Sequence, residues 1–167
     1  MLRDREGRMA ECGTCRLNPL GCAAKVIKMT TLNRPILTHS IRRFLASPRL
    51  ARLCTIGKHG YPHVVPIFFA RVGDDIIFGT DRDEAKVRNA LRNPKAAVVI
   101  GGVPETDDAG YMIQGNLSVE HHPRPALVRR LLRRYESDEE AERHLAEWDD
   151  SDRVLLRLRP VRVIRVW

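Results

Sequence analysis

The sequence predicts a mainly β, α+β domain built on an antiparallel sheet that closes toward a barrel. Three observations carry this expectation. Apolar and alternating stretches follow one another through tight turns, the connection that joins antiparallel neighbours. The helical stretches are too few and too late in the chain to wrap a parallel sheet. An open antiparallel sheet also leaves unpaired edges, and closure into a barrel removes them.

The regular pattern begins at Pro35. LTHSIRRFLASP reads as a short helix with Thr38 as N-cap, a face of Ile41, Phe44 and Leu45, and Pro48 as its stop. ARLCTIG (51–57) reads as a strand, with Cys54 a small buried hydrophobe within it. KHG (58–60) is a turn in which Gly60 supplies positive φ. YPHVVPIFFAR (61–71) is a long apolar strand, demoted by Pro62 and Pro66 to an edge or a bulged position. VGDD turns the chain into the strand IIFGT (76–80). DRDEAKVRNALRNP (81–94) reads as a helix capped by Asp81 or Asp83, with Val87, Ala90 and Leu91 as the buried stripe and Pro94 as the stop.

KAAVVIGG is a further buried strand, and VPETDDAG a polar loop. In YMIQGNLSVE, Tyr111, Ile113, Leu117 and Val119 face one way and Gln114, Asn116, Ser118 and Glu120 the other, as in a half-buried strand. PALVRRLLRRY is an amphipathic helix with Leu127, Val128, Leu131, Leu132 and Tyr135 on its apolar face. Ser137 and Glu140 open the next helix as a capping box. In the last stretch, from Arg153, Val154, Leu156 and Leu158 alternate with Arg153, Arg157 and Arg159, which makes a long strand.

The 167 residues suit one domain able to bury a core without disulfides. With 43% hydrophobic and 30% charged residues, neither wholesale disorder nor a fibrous protein fits. The longest apolar run, Val64 to Ala70, is far short of the roughly 18 residues of a membrane span. The basic N-terminus lacks the apolar run of about 7–15 residues of a secretory signal, so a cytoplasmic location is expected. The net charge of +8, mostly from Arg, attracts phosphates of any kind and equally describes a solvated basic face. Aromatic residues make up 5%, and no basic block interleaves with stacking rings, so nucleic acid is not the expected partner.

Residues 1–34 form an N-terminal extension and 35–167 the folded domain. Cys12, Cys15 and Cys22 lie in the extension. The CxxC pair Cys12–Cys15 suits zinc or an iron–sulfur cluster, but with Cys22 the segment supplies three of four ligands and no second CxxC follows, so no metal is expected. Met9 and Met29 are alternative starts to Met1.

The chemistry concentrates between Ala51 and Pro94. Gly79 and Thr80 end a strand just before a helix start, where free N–H groups favour an anion. Thr80 offers a hydroxyl, Arg82 and Lys86 offer positive charge, and Gly79 permits close backbone approach. A capped surface helix has the same pattern. His63 sits on the apolar strand, and His121 and His122 end a strand, where adjacent residues point opposite ways.

These stretches, taken in order, resemble the pyridoxamine 5'-phosphate oxidase-like, FMN-binding split-barrel family. The shared elements are a T-x-x-x-x-G-x-P hairpin (Thr55 to Pro62), Val65-Pro66, the F-x-T strand end (Phe78 to Thr80) and K-x-x-N-x-x-x-N-P (Lys86 to Pro94). The helix Leu37–Pro48 and the closing R-L-R-P-V-R-V-I-R-V-W also match, so the resemblance covers roughly residues 37–167.

The resemblance implies a six-stranded antiparallel split β-barrel with flanking helices, a homodimer that holds FMN between its subunits. It places the phosphate lysine at Lys86 and the ring-facing strand at Val65, Pro66, Ile67 and Phe68. It places the ribityl-phosphate contact at Gly79 and Thr80, and an aromatic that reaches the partner's flavin at Trp167. Three departures argue against the oxidase's own reaction. Glu84 and Ala85 replace a Ser-Arg pair, a gap Arg82 is expected to fill. Ala70 stands for a second basic residue, and the chain stops at Trp167 where the oxidase continues into an Arg- and His-bearing tail. The expected function is a flavin-dependent oxidoreductase acting on a small molecule, with no catalytic residue named. The alternatives are a reductase using 8-hydroxy-5-deazaflavin, with which A-K-x-R-N is shared, and a non-catalytic module binding flavin or haem.

Overall fold

The protein is described here by a computed structural model covering residues 36–103, 105–149 and 152–167. Cys12, Cys15, Cys22 and the alternative starts lie outside the described residues. In chain order the elements are α1 (His39–Phe44), β1 (Ala51–Ile56), β2 (Pro62–Ile67), β3 (Ala70–Val72), β4 (Asp75–Asp81), α2 (Ala85–Arg92) and β5 (Lys95–Gly101). β6 (Gly110–Glu120), α3 (Pro125–Leu132), α4 (Asp138–Ala146) and β7 (Arg153–Arg165) complete the chain.

All strand pairs are antiparallel, and the spatial order is β2-β1-β5-β6-β7-β4-β3. Among the described residues seven strands therefore replace the expected six. The long strand predicted over 61–71 divides, because β2 pairs with β1 while β3 pairs with β4. The divided strand supplies both edges of the sheet. Only Phe68 and Phe69 separate these edges in sequence, so they stand within about three residue steps, roughly 10 Å. The sheet thus curls most of the way round, and among the described residues no ladder seals it into the closed barrel expected from edge avoidance. Pro62 and Pro66 are accommodated because β2 is an edge strand.

Inside the curl, Leu53, Phe69, Phe78, Ile100, Ile113, Leu156 and Leu158 form the main core with Leu37, Ile41 and Leu45. Each fully buried Leu or Phe contributes about 2 kcal/mol of transfer free energy. α1 covers the Gly101 end of β5, where Phe44 meets Tyr111 edge-to-face at 5.0 Å. Thr38 caps it, accepting from the Ile41 N–H at 3.4 Å. α2 covers the opposite end through Val87 and Ala90.

α2 departs from expectation in two ways. It starts at Ala85 with Glu84 at the N-cap, because Asp81 still belongs to β4 opposite Arg153. Leu91 is 63% exposed, while Lys86 and Asn89 are buried beside Val87 and Ala90. The buried Asn89 amide donates to Thr55 Oγ1 at 3.0 Å, which rotates that polar face inward.

A second cluster lies on the outer face of β3, β4 and β7. There Ala70, Ile77 and Leu155 meet Val128 and Leu131 of α3. β7 is accordingly buried on both faces over Val154–Leu156, more than strict alternation predicts. The Ser137–Glu140 capping box is present in both directions and starts α4. Between Gln114 and Gly115 the β6–β7 register slips by one residue, leaving Val161 as a bulge beside Pro160, which has no N–H to give the ladder. Gly115 makes the bulge possible, since a Cβ there would stand 2.3 Å from the Arg159 carbonyl oxygen. Gly60 turns β1 into β2 with φ +84°, as expected. Cys54 is half-buried on the outer side of β1, not in the core, because Leu53 and Thr55 take the inward positions.

Candidate functional site

The end of β4, the start of α2, the β2–β3 break and the α3–α4 hairpin enclose a cleft of about 650 Å³. Of the residues singled out from sequence, Pro66, Ile67, Phe68, Gly79, Thr80 and Lys86 line it. Three do not. Val65 points into the core. Arg82 lies beyond β4, its backbone N–H donating to the Asp152 carbonyl at 2.6 Å. Trp167 follows the far end of β7, packed near Gly102 and Gly110. The 13 residues of β7 put it roughly 40 Å along the strand from Arg153 in the cleft.

The cleft is chemically two-ended. At one end Lys86, Thr80, Asp81 and Arg153 converge. Lys86 is 8% exposed, and its ammonium lies 3.3 Å from the carboxylate of the half-exposed Glu84. That carboxylate therefore faces Lys86, and it makes no capping bond to the first turn of α2. Arg153 pairs across the strands with Asp81 at 3.7 Å and lies over the Trp148 ring. The apolar part of the lining is Leu50, Pro66, Ile67, Phe68, Leu131, Leu132 and Tyr135, with Trp148 beside Arg153 and Gly79. The Phe68 and Tyr135 rings stack with centroids 4.1 Å apart and planes at 22°. Glu136 also lines the cleft, its carboxylate 2.9 Å from His144 Nδ1.

The sequence puts Leu131, Leu132 and Tyr135 on the apolar face of a helix and does not single out Trp148 or Arg153 for the site. Their helical spacing shows an apolar face but not what it covers. Gly79 also acquires a second role. A Cβ there would lie 2.9 Å from Leu131 Cδ2 and 3.4 Å from Trp148, so its missing side chain admits the helical wall.

His63 faces into the sheet opposite Thr55, and His121 and His122 follow β6; none of the three lines the cleft. Among the described residues no group of three or more His, Cys, Asp or Glu is placed to hold a metal ion. Among them, too, no helix is long and apolar enough to cross a membrane.

The fold is an incompletely closed antiparallel barrel with a two-ended cleft at a strand-to-helix junction. The chain belongs to the pyridoxamine 5'-phosphate oxidase family, whose model matches residues 37–167. No curated protein sequence matches it significantly. Solved structures share the fold at low identity. A conserved hypothetical protein from Mycobacterium tuberculosis is 22% identical with a TM-score of 0.65, covering 79% of this chain and 86% of its own. An F420 reductase is 23% identical with a TM-score of 0.58, covering 74% and 94%. HutZ, a haem storage protein from Vibrio cholerae, is 16% identical with a TM-score of 0.61, covering 77% and 93%.

Proposed function

We propose that the protein is an FMN-binding oxidoreductase acting on a small molecule. The observation that carries this reading is the two-ended cleft, with a buried lysine at its polar end and stacked aromatic rings at its apolar end. A singly phosphorylated ring system has the same division. The phosphate would sit against Lys86 and Thr80, and would compete with Glu84 for the ammonium. The flat ring would lie along Pro66, Ile67 and Phe68. When bound, flavin supplies hydride or electron transfer. The chain's own residues bind, orient and shield the ring from water, and no protein acid or base is assigned to the reaction.

The cleft is proposed to be completed by a second copy of the chain. The outward rows Val64–Cys54–Ala97 and Pro66–Arg52–Val99–Met112–Ile164 run across β2, β1, β5, β6 and β7. Most of these side chains are apolar and at least half-exposed or intermediate in the single chain. Pro66 belongs both to this face and to the cleft, so the cleft opens toward the face a partner would cover. In such a dimer Trp167, remote from its own cleft, meets the partner's.

A 5-deazaflavin is the second reading, favoured by the shared fold of the F420 reductase. Haem fits the cleft less well, since among the described residues no His, Cys or Met lines it and the Tyr135 hydroxyl is already engaged with the backbone of Arg49 and Phe69. Absorbance of freshly purified protein, followed by titration with FMN and with 8-hydroxy-5-deazaflavin, tests the reading. One flavin per chain is expected, with turnover on addition of NAD(P)H. A Soret band with no flavin binding would replace flavin by haem.

A further inference from the structure

We propose that Tyr135 is the positioning residue of the cleft: it fixes the β2–β3 break and, through it, the Phe68 wall against which a flavin ring rests. The proposal rests on the flavin reading above.

At the break the chain changes ladder partner, from β1 on one side to β4 on the other. Side chains continue to alternate, with Ile67 and Phe69 in the main core and Ala70 under α3. Phe68 and Phe69 themselves belong to neither strand. A single phenol serves the backbone there. The Phe69 N–H donates to Tyr135 Oη at 3.1 Å, and the Tyr135 O–H is shared between the carbonyls of Arg49, at 2.9 Å, and Phe69, at 3.0 Å.

The same ring stacks on Phe68, which is 53% exposed and would otherwise be free to change rotamer. The neighbouring Arg134 fastens the end of α3 separately. It donates to the carbonyls of Leu45 at 2.7 Å, Ala46 at 3.0 Å and Ser47, and its guanidinium lies 4.5 Å from the Phe69 ring centroid. α3 is therefore anchored without the phenol, and Tyr135 is left to set the geometry of the cleft wall.

Tyr135→Phe keeps the ring and removes the hydroxyl. The Phe69 amide should then exchange with solvent at least tenfold faster. FMN and riboflavin should both bind about tenfold more weakly, since the effect is on the ring side and indifferent to the phosphate. The visible circular dichroism of bound flavin should change as well. Phe68→Leu, which keeps the hydroxyl bonds and removes the stack, is the second variant, and should lower both affinities and alter the same signal. Unchanged affinity and dichroism in these variants would overturn the proposal, as would a loss confined to FMN. If wild-type protein binds neither flavin nor deazaflavin, the functional reading itself falls and this proposal with it. If wild type binds and the variants match it, only the role of Tyr135 falls.

Discussion

Lys86→Met is expected to move ligand affinity and stability in opposite directions. Lys86 is almost wholly buried, yet its carboxylate partner lies at 3.3 Å on a half-exposed side chain. Such a pair returns about 0–1 kcal/mol, while burial of an ammonium costs several kcal/mol. Met fills the same volume without charge, and Glu84 can turn to water. The ligand-free variant should therefore melt at the wild-type temperature or a few degrees higher. Loss of a charge-assisted phosphate contact costs about 1.5–3 kcal/mol, so FMN should bind roughly 10- to 150-fold more weakly. Flavin fluorescence titration reads this directly, with riboflavin as the phosphate-free control. Wild type should prefer FMN to riboflavin, and the variant should lose that preference. A variant that still prefers FMN by the wild-type factor would remove Lys86 from the phosphate site.

Two further outcomes follow from the geometry. Val99→Glu puts a charge at the centre of the outward face while leaving the inward core untouched. Light scattering should show wild type at the mass of two chains and the folded variant at one, with weaker flavin binding; a wild-type monomer would contradict the dimer. Acid should loosen the α3–α4 hairpin. The Arg129 guanidinium bonded to Glu142 holds its carboxyl below the usual carboxylate range, and the Ser137 bonds do the same for Glu140. The unfolded chain then binds more protons than the folded one, so this stabilisation is present above about pH 4.3 and fades as pH falls through the lowered values. Glu142→Gln should lose less melting temperature between pH 5 and pH 3 than wild type does, and parallel curves would contradict the assignment.

The sequence made the strands, the caps at Thr38 and Ser137 and the glycine turn at Gly60 legible, because each rests on local chemistry. It also located the strand-to-helix junction around Gly79, Thr80 and Lys86, where residue type and spacing act together. Three features escaped it for a common physical reason. The break at Phe68–Phe69 is a change of pairing partner, and side-chain alternation runs through it without interruption. Hydropathy ranks Leu91 above Asn89 and so points it inward, whereas the bond from Asn89 to Thr55 sets the rotation of α2. Tyr135 and Trp148 became cleft residues only through the packing of α3 and α4 on β4, which Gly79 admits. Trp167 shows the same limit from the other side: it stands away from its own cleft, and only the dimer proposed above would bring it to one.

The most direct test of the account is a structure determined with FMN. The account predicts the phosphate within hydrogen-bond reach of Lys86 Nζ and Thr80, and the ring along Pro66 to Phe68. Flavin bound elsewhere on the molecule, with this cleft empty, would contradict it.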